Sequence, residues 1–194
     1  MKNVERILFD IPTGIKSRMK IMLYRFLGMQ IGQKNRFEGG KCRAFKHIKI
    51  GNNNAFFGGG YTLWPINNNQ DGIRINIKND CMFNRNLYID ACGYIEIGNG
   101  CMFGPDVYVA DSNHNIELGL SSRSLPMDIG KVIVGDNCWI GAKVTILKNV
   151  VLGDNCVAAA GTVITKSFPA GSVIAGVPGK LIKSLKGTDN KELL

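Results

Sequence analysis

Histidine is almost missing from this chain: its 194 residues hold two, His47 and His114. Two are too few for a three-histidine zinc site. The six cysteines (42, 81, 92, 101, 138 and 156) form no CxxC pair, so neither a zinc ribbon nor a redox dithiol is supported, and no metal is expected. No apolar run approaches the roughly 18 residues a membrane span needs. The opening MKNVERILFD carries acidic residues and lacks the apolar stretch of a signal peptide, which points to the cytoplasm. Acidic residues are the scarcer sign of charge, 15 against 24 Lys and Arg, for a net +9. Such a chain suits an anionic partner. Nucleic acid is not expected, because no stripe of cations is interleaved with aromatics.

What the chain does contain is a beat of six. Aliphatic residues fall at Val134, Ile140, Ile146, Leu152, Ala158 and Ile164. Four positions after each of the first five comes a second semi-buried residue: Cys138, Val144, Val150, Cys156 and Thr162. Upstream, Ile77, Phe83 and Ile89 keep the beat, as do Ile97, Phe103 and Val109, with a weaker coil at Ile50 and Phe56. The period fits neither a helix nor a flat strand. It fits a short strand plus a tight corner, three of which close an 18-residue triangular coil. Small cysteines then fill cramped interior positions as compact hydrophobes. The step from Ile89 to Ile97 is eight, so one corner is widened by two residues. The beat breaks outright at NNNQDG (67–72) and between Ser112 and Lys131. Insertions in repeats become loops, and loops carry function. The second break contains DSNHN and therefore His114. The plain alternative is a polar loop residue that happens to be histidine.

With repeat, interrupting loop, histidine and a terminal AGVPGK in order, the run VIVGDNCWIGAKVTILKNVVLGDNCVAAAGTVITKSFPAGSVIAGVPGKLIK resembles the hexapeptide-repeat acyltransferases. Within them it looks like the maltose and galactoside O-acetyltransferases and the sugar O-acetyltransferases of capsule and O-antigen synthesis. The likeness covers about residues 75–183 well and 30–74 loosely. It implies an all-β fold, a left-handed parallel β-helix, spanning residues 31–183. A helical arm or cap (1–30) precedes it and a tail (184–194) follows. It implies a homotrimer with active sites between subunits, acetyl-CoA as donor, and His114 as the base that takes a proton from a sugar hydroxyl.

The same resemblance assigns other roles. Asn84 helps hold the acceptor hydroxyl; the alternative is a corner asparagine tolerating left-handed backbone. Trp139 packs beside the histidine; the alternative is a buried aromatic away from substrate. Ala142, Ala160, Thr165 and Lys166 match positions lining the pantetheine and nucleotide channel. Lys166 and Lys180 face the CoA phosphates, unless they are merely solvated. Gly161 lies beside them, where a corner glycine needs no ligand to explain it. One departure matters: relatives often carry a glutamate where this chain has Leu125. Asp128, Asp111, Glu117 or a backbone carbonyl then remains to orient the ring.

In the arm, Ile15, Met19, Met22, Leu23, Phe26 and Leu27 recur at helical spacing, with Lys16, Arg18, Lys20 and Arg25 elsewhere on the same helix. A shorter helix with Val4, Ile7, Leu8 and Ile11 is expected to end near Pro12. The expected role is an apolar cap over the open end of the β-helix. A basic helix touching the inner face of the membrane, suited to a lipid-linked sugar, is the other reading. His47 is taken as structural.

The function expected is acetyl-CoA-dependent O-acetylation of a free or lipid-linked sugar in surface-polysaccharide synthesis. The alternative within the scaffold is an N-acetyltransferase acting on an amino-sugar nucleotide. Serine acetyltransferases need a longer helical domain, nucleotidyltransferases a Gly-rich Rossmann-like domain, and xenobiotic acetyltransferases a longer insertion near the histidine. A β-helix used only for assembly has no use for a histidine in a coil-breaking loop.

Overall fold

The six-residue beat is a column of inward side chains. Every member named above, from Ile50 to Ile164, is buried. The computed structural model describes residues 11–58, 60–66, 71–116 and 125–185. In it, strands of two to five residues stack into three parallel sheets, and each successive coil adds one strand to each. The first sheet runs from Gln30–Ile31 to Val151–Leu152, and the second from Arg36–Phe37 to Ser172–Ala175. The third runs from Lys41–Cys42 to Val163–Ile164. Six coils are complete; a seventh starts where Phe168 bridges to Leu152. The chain then doubles back as Lys180–Ser184, antiparallel to Ser172–Ala175. This is a left-handed parallel β-helix.

The corners explain the polar letters of the repeat. In the column Asn52, Asn79, Asn99, Asp136 and Asp154, each side-chain oxygen accepts the backbone N–H of the residue one coil below. The glycine before the corner Asn or Asp is forced by crowding: a Cβ on Gly98 would lie 2.6 Å from the Gly135 carbonyl oxygen. The next residue but one takes the left-handed turn, as at Asn137 and Asn155.

Just inside this corner stands a second column: Asn35, Asn54, Cys81, Cys101, Cys138, Cys156 and Ser172, all buried. Asn35 and Asn54 donate Nδ2–H to the carbonyls of Gly51 and Lys78 at 2.8 and 2.9 Å. The four thiols reach the carbonyls of Gly98, Gly135, Gly153 and Pro169 at 3.0 to 3.3 Å. The cysteines are therefore small donors as well as small hydrophobes. Hydrogen bonding with Cys101, and burial beyond that, push the Cys138 thiol from 9.0 up to about 12.

Below the first coil lies the helix Ile11–Phe26, with Pro12 in its opening turn, where a missing N–H costs nothing. The helix expected earlier, through Val4, Ile7 and Leu8, lies outside the described residues. The helix does cover the coil end, but with a different face from the one its apolar stripe suggests. Ser17, Ile21 and Tyr24 point inward: Ser17 Oγ accepts the Phe37 N–H at 2.8 Å, and Tyr24 packs on Phe37 and Phe45. Ile15, Met19, Met22, Leu23, Phe26 and Leu27 are exposed. No described helix is long and apolar enough to cross a membrane.

Candidate active site

On the fourth coil the chain finishes its third-sheet strand, Tyr108–Ala110, and leaves the β-helix. Where a loop was expected, Ser112–His114 pairs antiparallel with Met127–Ile129, and Lys131–Val134 then resumes the first sheet. Asp111 roots this ribbon. Its carboxylate is buried and accepts the N–H groups of Cys92 and Gly93 at 2.7 and 2.9 Å. Those two residues form the corner widened by two. Desolvation raises the Asp111 carboxyl pKa, against the pull of these two bonds. The Gly130 N–H closes the root by donating to the Asp111 carbonyl at 2.7 Å.

His114 lies exposed on the ribbon, opposite Met127. Its Nδ1 is 3.2 Å from the carbonyl oxygen of Leu125. A carbonyl only accepts, so Nδ1 carries the proton of this contact, and Nε2 is the ring nitrogen left to act as an acceptor in the neutral tautomer. The other candidates are differently engaged. Asp128 forms an ion pair with Lys148, and Asp111 is spent at the root. Glu117 lies outside the described residues.

A cleft of about 430 Å³ opens beside the ribbon, lined by Tyr108, Ala110, Ser112, Asn113, Leu147, Lys148 and Thr165. Hollows of 320 to 540 Å³ also occur in the lower coils and beside the helix, so size alone does not single this one out. The histidine ribbon does. Of the residues named from sequence, Thr165 joins this cleft, and Lys166 follows it with Nζ 5.7 Å from the Phe168 ring centroid.

The others stand elsewhere on the same chain. Asn84, Ala142, Ala160 and Gly161 occupy the corner that leads into the third sheet, whereas the ribbon leaves from that sheet's far edge. Trp139 is 48% exposed on the outer face of the second sheet, in register with Met102 and Val157, which removes the buried-aromatic reading. Lys180 is exposed on the returning strand of that sheet. Asn84 is exposed and accepts the Arg85 N–H at 2.8 Å; the left-handed turn falls on Asn86, so backbone strain does not explain Asn84. Gly161 has φ +74° at its corner, which is sufficient reason for glycine. His47 is buried and its Nδ1 lies 2.7 Å from the Gly72 carbonyl oxygen, in the second coil. Among the described residues no group of three His, Cys, Asp or Glu is placed to hold a metal.

Sequence reading left a backbone carbonyl among the possible partners of the ring without naming which, and it missed Lys148. A backbone contact leaves no mark in the side-chain alphabet, and Lys148 reads as one more cation at a corner.

Comparison with known proteins agrees with this fold. A family profile described as "Hexapeptide repeat of succinyl-transferase" matches residues 131–166, the fifth and sixth coils. A Dictyostelium discoideum protein named as an acetyltransferase is 45% identical over 100 residues, 51% of each chain. An Escherichia coli K12 protein named as a lipopolysaccharide biosynthesis O-acetyltransferase is 30% identical over 105 residues, 50% of this chain and 54% of its own. The chain spans about half the length of these curated relatives. The crystal structure of a maltose O-acetyltransferase from Clostridium difficile 630 superposes with a TM-score of 0.53 at 27% identity, covering 84% of this chain and 73% of the other. Its repeat and these matches make the chain similar to the hexapeptide-repeat acyltransferase superfamily. Within it, the resemblance is to the sugar O-acetyltransferases.

Proposed function

We propose that this protein transfers an acetyl group from acetyl-CoA to a hydroxyl of a sugar, with His114 as the general base. Nε2 takes the hydroxyl proton, and the oxygen attacks the thioester carbonyl. The tetrahedral intermediate collapses with loss of the CoA thiolate, which recovers the proton from the imidazolium. The products are an acetyl ester and free CoA. The observation that carries this reading is the His114 ring, tethered through Nδ1 to the Leu125 carbonyl on the ribbon that interrupts the β-helix beside a cleft.

The donor's path follows the corners. Ala142, Ala160 and Gly161 form a low shelf on which a pantetheine arm fits; nothing lies within 4 Å of a Cβ placed on Gly161. Thr165 lines the cleft, and Lys166 and Lys180, both exposed, suit the CoA phosphates. Since the ribbon and the Asn84–Trp139 edge lie apart on one chain, the complete site is built between copies. A ring of three sets the histidine edge of one chain against the other edge of its neighbour. The sugar is a building block of a capsule or O-antigen, in keeping with the lipopolysaccharide-biosynthesis relative.

The test is acetylation followed by mass spectrometry, with acetyl-CoA and a panel of free sugars, sugar nucleotides and amino-sugar nucleotides. Ester formation that His114→Ala lowers by about 10²-fold or more supports the reading. Transfer to an amine alone moves the protein to the N-acetyltransferases. Folded protein that binds no CoA sinks the acyltransferase reading.

A further inference from the structure

The charge of this chain is not spread over it. Residues 11–58 contain ten Lys and Arg (16, 18, 20, 25, 34, 36, 41, 43, 46, 49) and one acid, Glu38. The remainder has 14 of each sign, because the whole chain carries 24 cations and 15 acids. The entire net +9 therefore sits on the helix and the first two coils, at one end of the β-helix.

The same end exposes an apolar face. The helix turns Ser17, Ile21 and Tyr24 to the coil, at positions four and three apart. Half a turn away, Ile15, Met19, Met22 and Phe26 follow the same spacing on the outside, joined by Leu23 and Leu27. Phe26 is 87% exposed and Met22 69%. Helical spacing sets Arg18 on one flank of this stripe and Lys16 on the other, and the helix contains no acid. Arg25 and Lys20 reach back to the coil, donating to the carbonyls of Ile31, Gly32 and Gly39, and so fix the helix to the end of the rod.

An apolar stripe with cations on both flanks, at the one charged pole, matches an anionic lipid surface. Methionine, leucine and phenylalanine enter the headgroup boundary while Lys16 and Arg18 stay with the phosphates. A nucleic acid would use the cations and leave Phe26 and Met22 in water. We propose that the outer face of the helix 11–26 docks this protein on anionic membrane, with the β-helix standing on its capped end.

This has one consequence that rests on the acetyl-transfer reading; the docking itself does not. Coils rise by about 4.8 Å each and a helix is about 10 Å across, so His114 on the fourth coil stands roughly 25 Å above the lipid. A saccharide carried on a lipid would have to extend about that far to meet His114.

The test is co-sedimentation of the full chain with phosphatidylcholine vesicles, with and without phosphatidylglycerol, at low and high salt. The expected result is binding that needs phosphatidylglycerol and is weakened by salt. It should fall roughly tenfold or more in Met22→Glu/Phe26→Glu and in Lys16→Gln/Arg18→Gln. These side chains are exposed, and an unchanged far-ultraviolet spectrum and melting temperature verify that the variants fold. Wild-type protein left in the supernatant overturns the proposal, as does binding indifferent to phosphatidylglycerol or to the substitutions. So does a particle mass, by analytical ultracentrifugation, that Met22→Glu/Phe26→Glu lowers in protein that ignores vesicles: the face would then join two copies. CoA binding and acetyl transfer to soluble sugars are read on the same variants and should not move. Loss of docking and loss of the enzymatic reading are thereby told apart.

Discussion

The carbonyl oxygen of Leu125 stands 3.2 Å from Nδ1 of His114. The ring is thus tethered to the returning half of its own ribbon by backbone. Two outcomes follow for activity. Leu125→Ala keeps the carbonyl and should hold kcat within about threefold, whereas His114→Ala removes the base and should cost about 10²- to 10⁴-fold. Asp128→Asn tests the competing carboxylate and should cost little in kcat, since Asp128 is paired with Lys148. A loss in Asp128→Asn as deep as that in His114→Ala would put the orienting role on the acid.

Asp111 holds the ribbon to the third coil through two N–H groups, and one carboxylate is the smallest group that accepts both. Asp111→Asn keeps one acceptor and turns an NH2 toward the other N–H. We expect about 1–3 kcal/mol of lost stability, read from denaturant unfolding. The raised carboxyl pKa gives a second signature. The fold favours the protonated acid, so this group's contribution is full below the ordinary carboxylate pKa and is lost as pH rises through the raised value. Asp111→Asn should remove that slope. Unfolding curves that run parallel across acidic pH for both proteins would contradict the linkage.

Alkali should act through the cysteine column. The Cys101 and Cys138 thiols are both raised to about 12, and the unfolded thiol titrates near 9.0. Between those values the folded state holds more protons than the unfolded one, so stability falls as pH rises from about 9 toward 12. Cys138→Ser keeps a donor toward the Gly153 carbonyl and should flatten part of this fall. At neutral pH the buried thiols should resist alkylation until the chain unfolds. Prompt labelling of native Cys138 by iodoacetamide would show that the column is open.

The parts of this fold that were legible are those where one physical demand acts on one kind of side chain. An inward column two residues wide accepts Ile, Val, Leu, Phe or Ala, and that restriction is visible as the beat from Val134 to Ile164. Asn35 and Asn54 were not legible as members of the cysteine column. What they share with Cys138 is a donor aimed at a carbonyl, which hydrophobicity does not reveal. The helix misled for a related reason. Its strongest apolar stripe faces outward, while the inward face is centred on a serine that accepts the Phe37 N–H. In the proposed site, the ribbon carrying His114 shows in the sequence as an interruption of the beat, and Thr165 was named from family likeness. A backbone carbonyl was one of the partners left open for the ring, and no letter says that it is the one at Leu125.

The separation of His114 from Asn84 on one chain makes a sharper prediction about assembly. The ribbon leaves the far edge of the third sheet and Asn84 stands at the near corner. If each site takes its histidine from one chain and its asparagine from the next, His114→Ala and Asn84→Ala proteins are both deficient alone. Refolded together or co-expressed, they should recover activity, because random mixing leaves roughly a quarter of the interfaces with both side chains intact. The check is acetyl transfer by the mixture compared with each parent and with wild type at equal total chain. Recovery toward that fraction places the two residues on different chains in the working site. A mixture no better than its parents, with hybrid oligomers shown by mass spectrometry, means that both act from the same chain or that Asn84 takes no part.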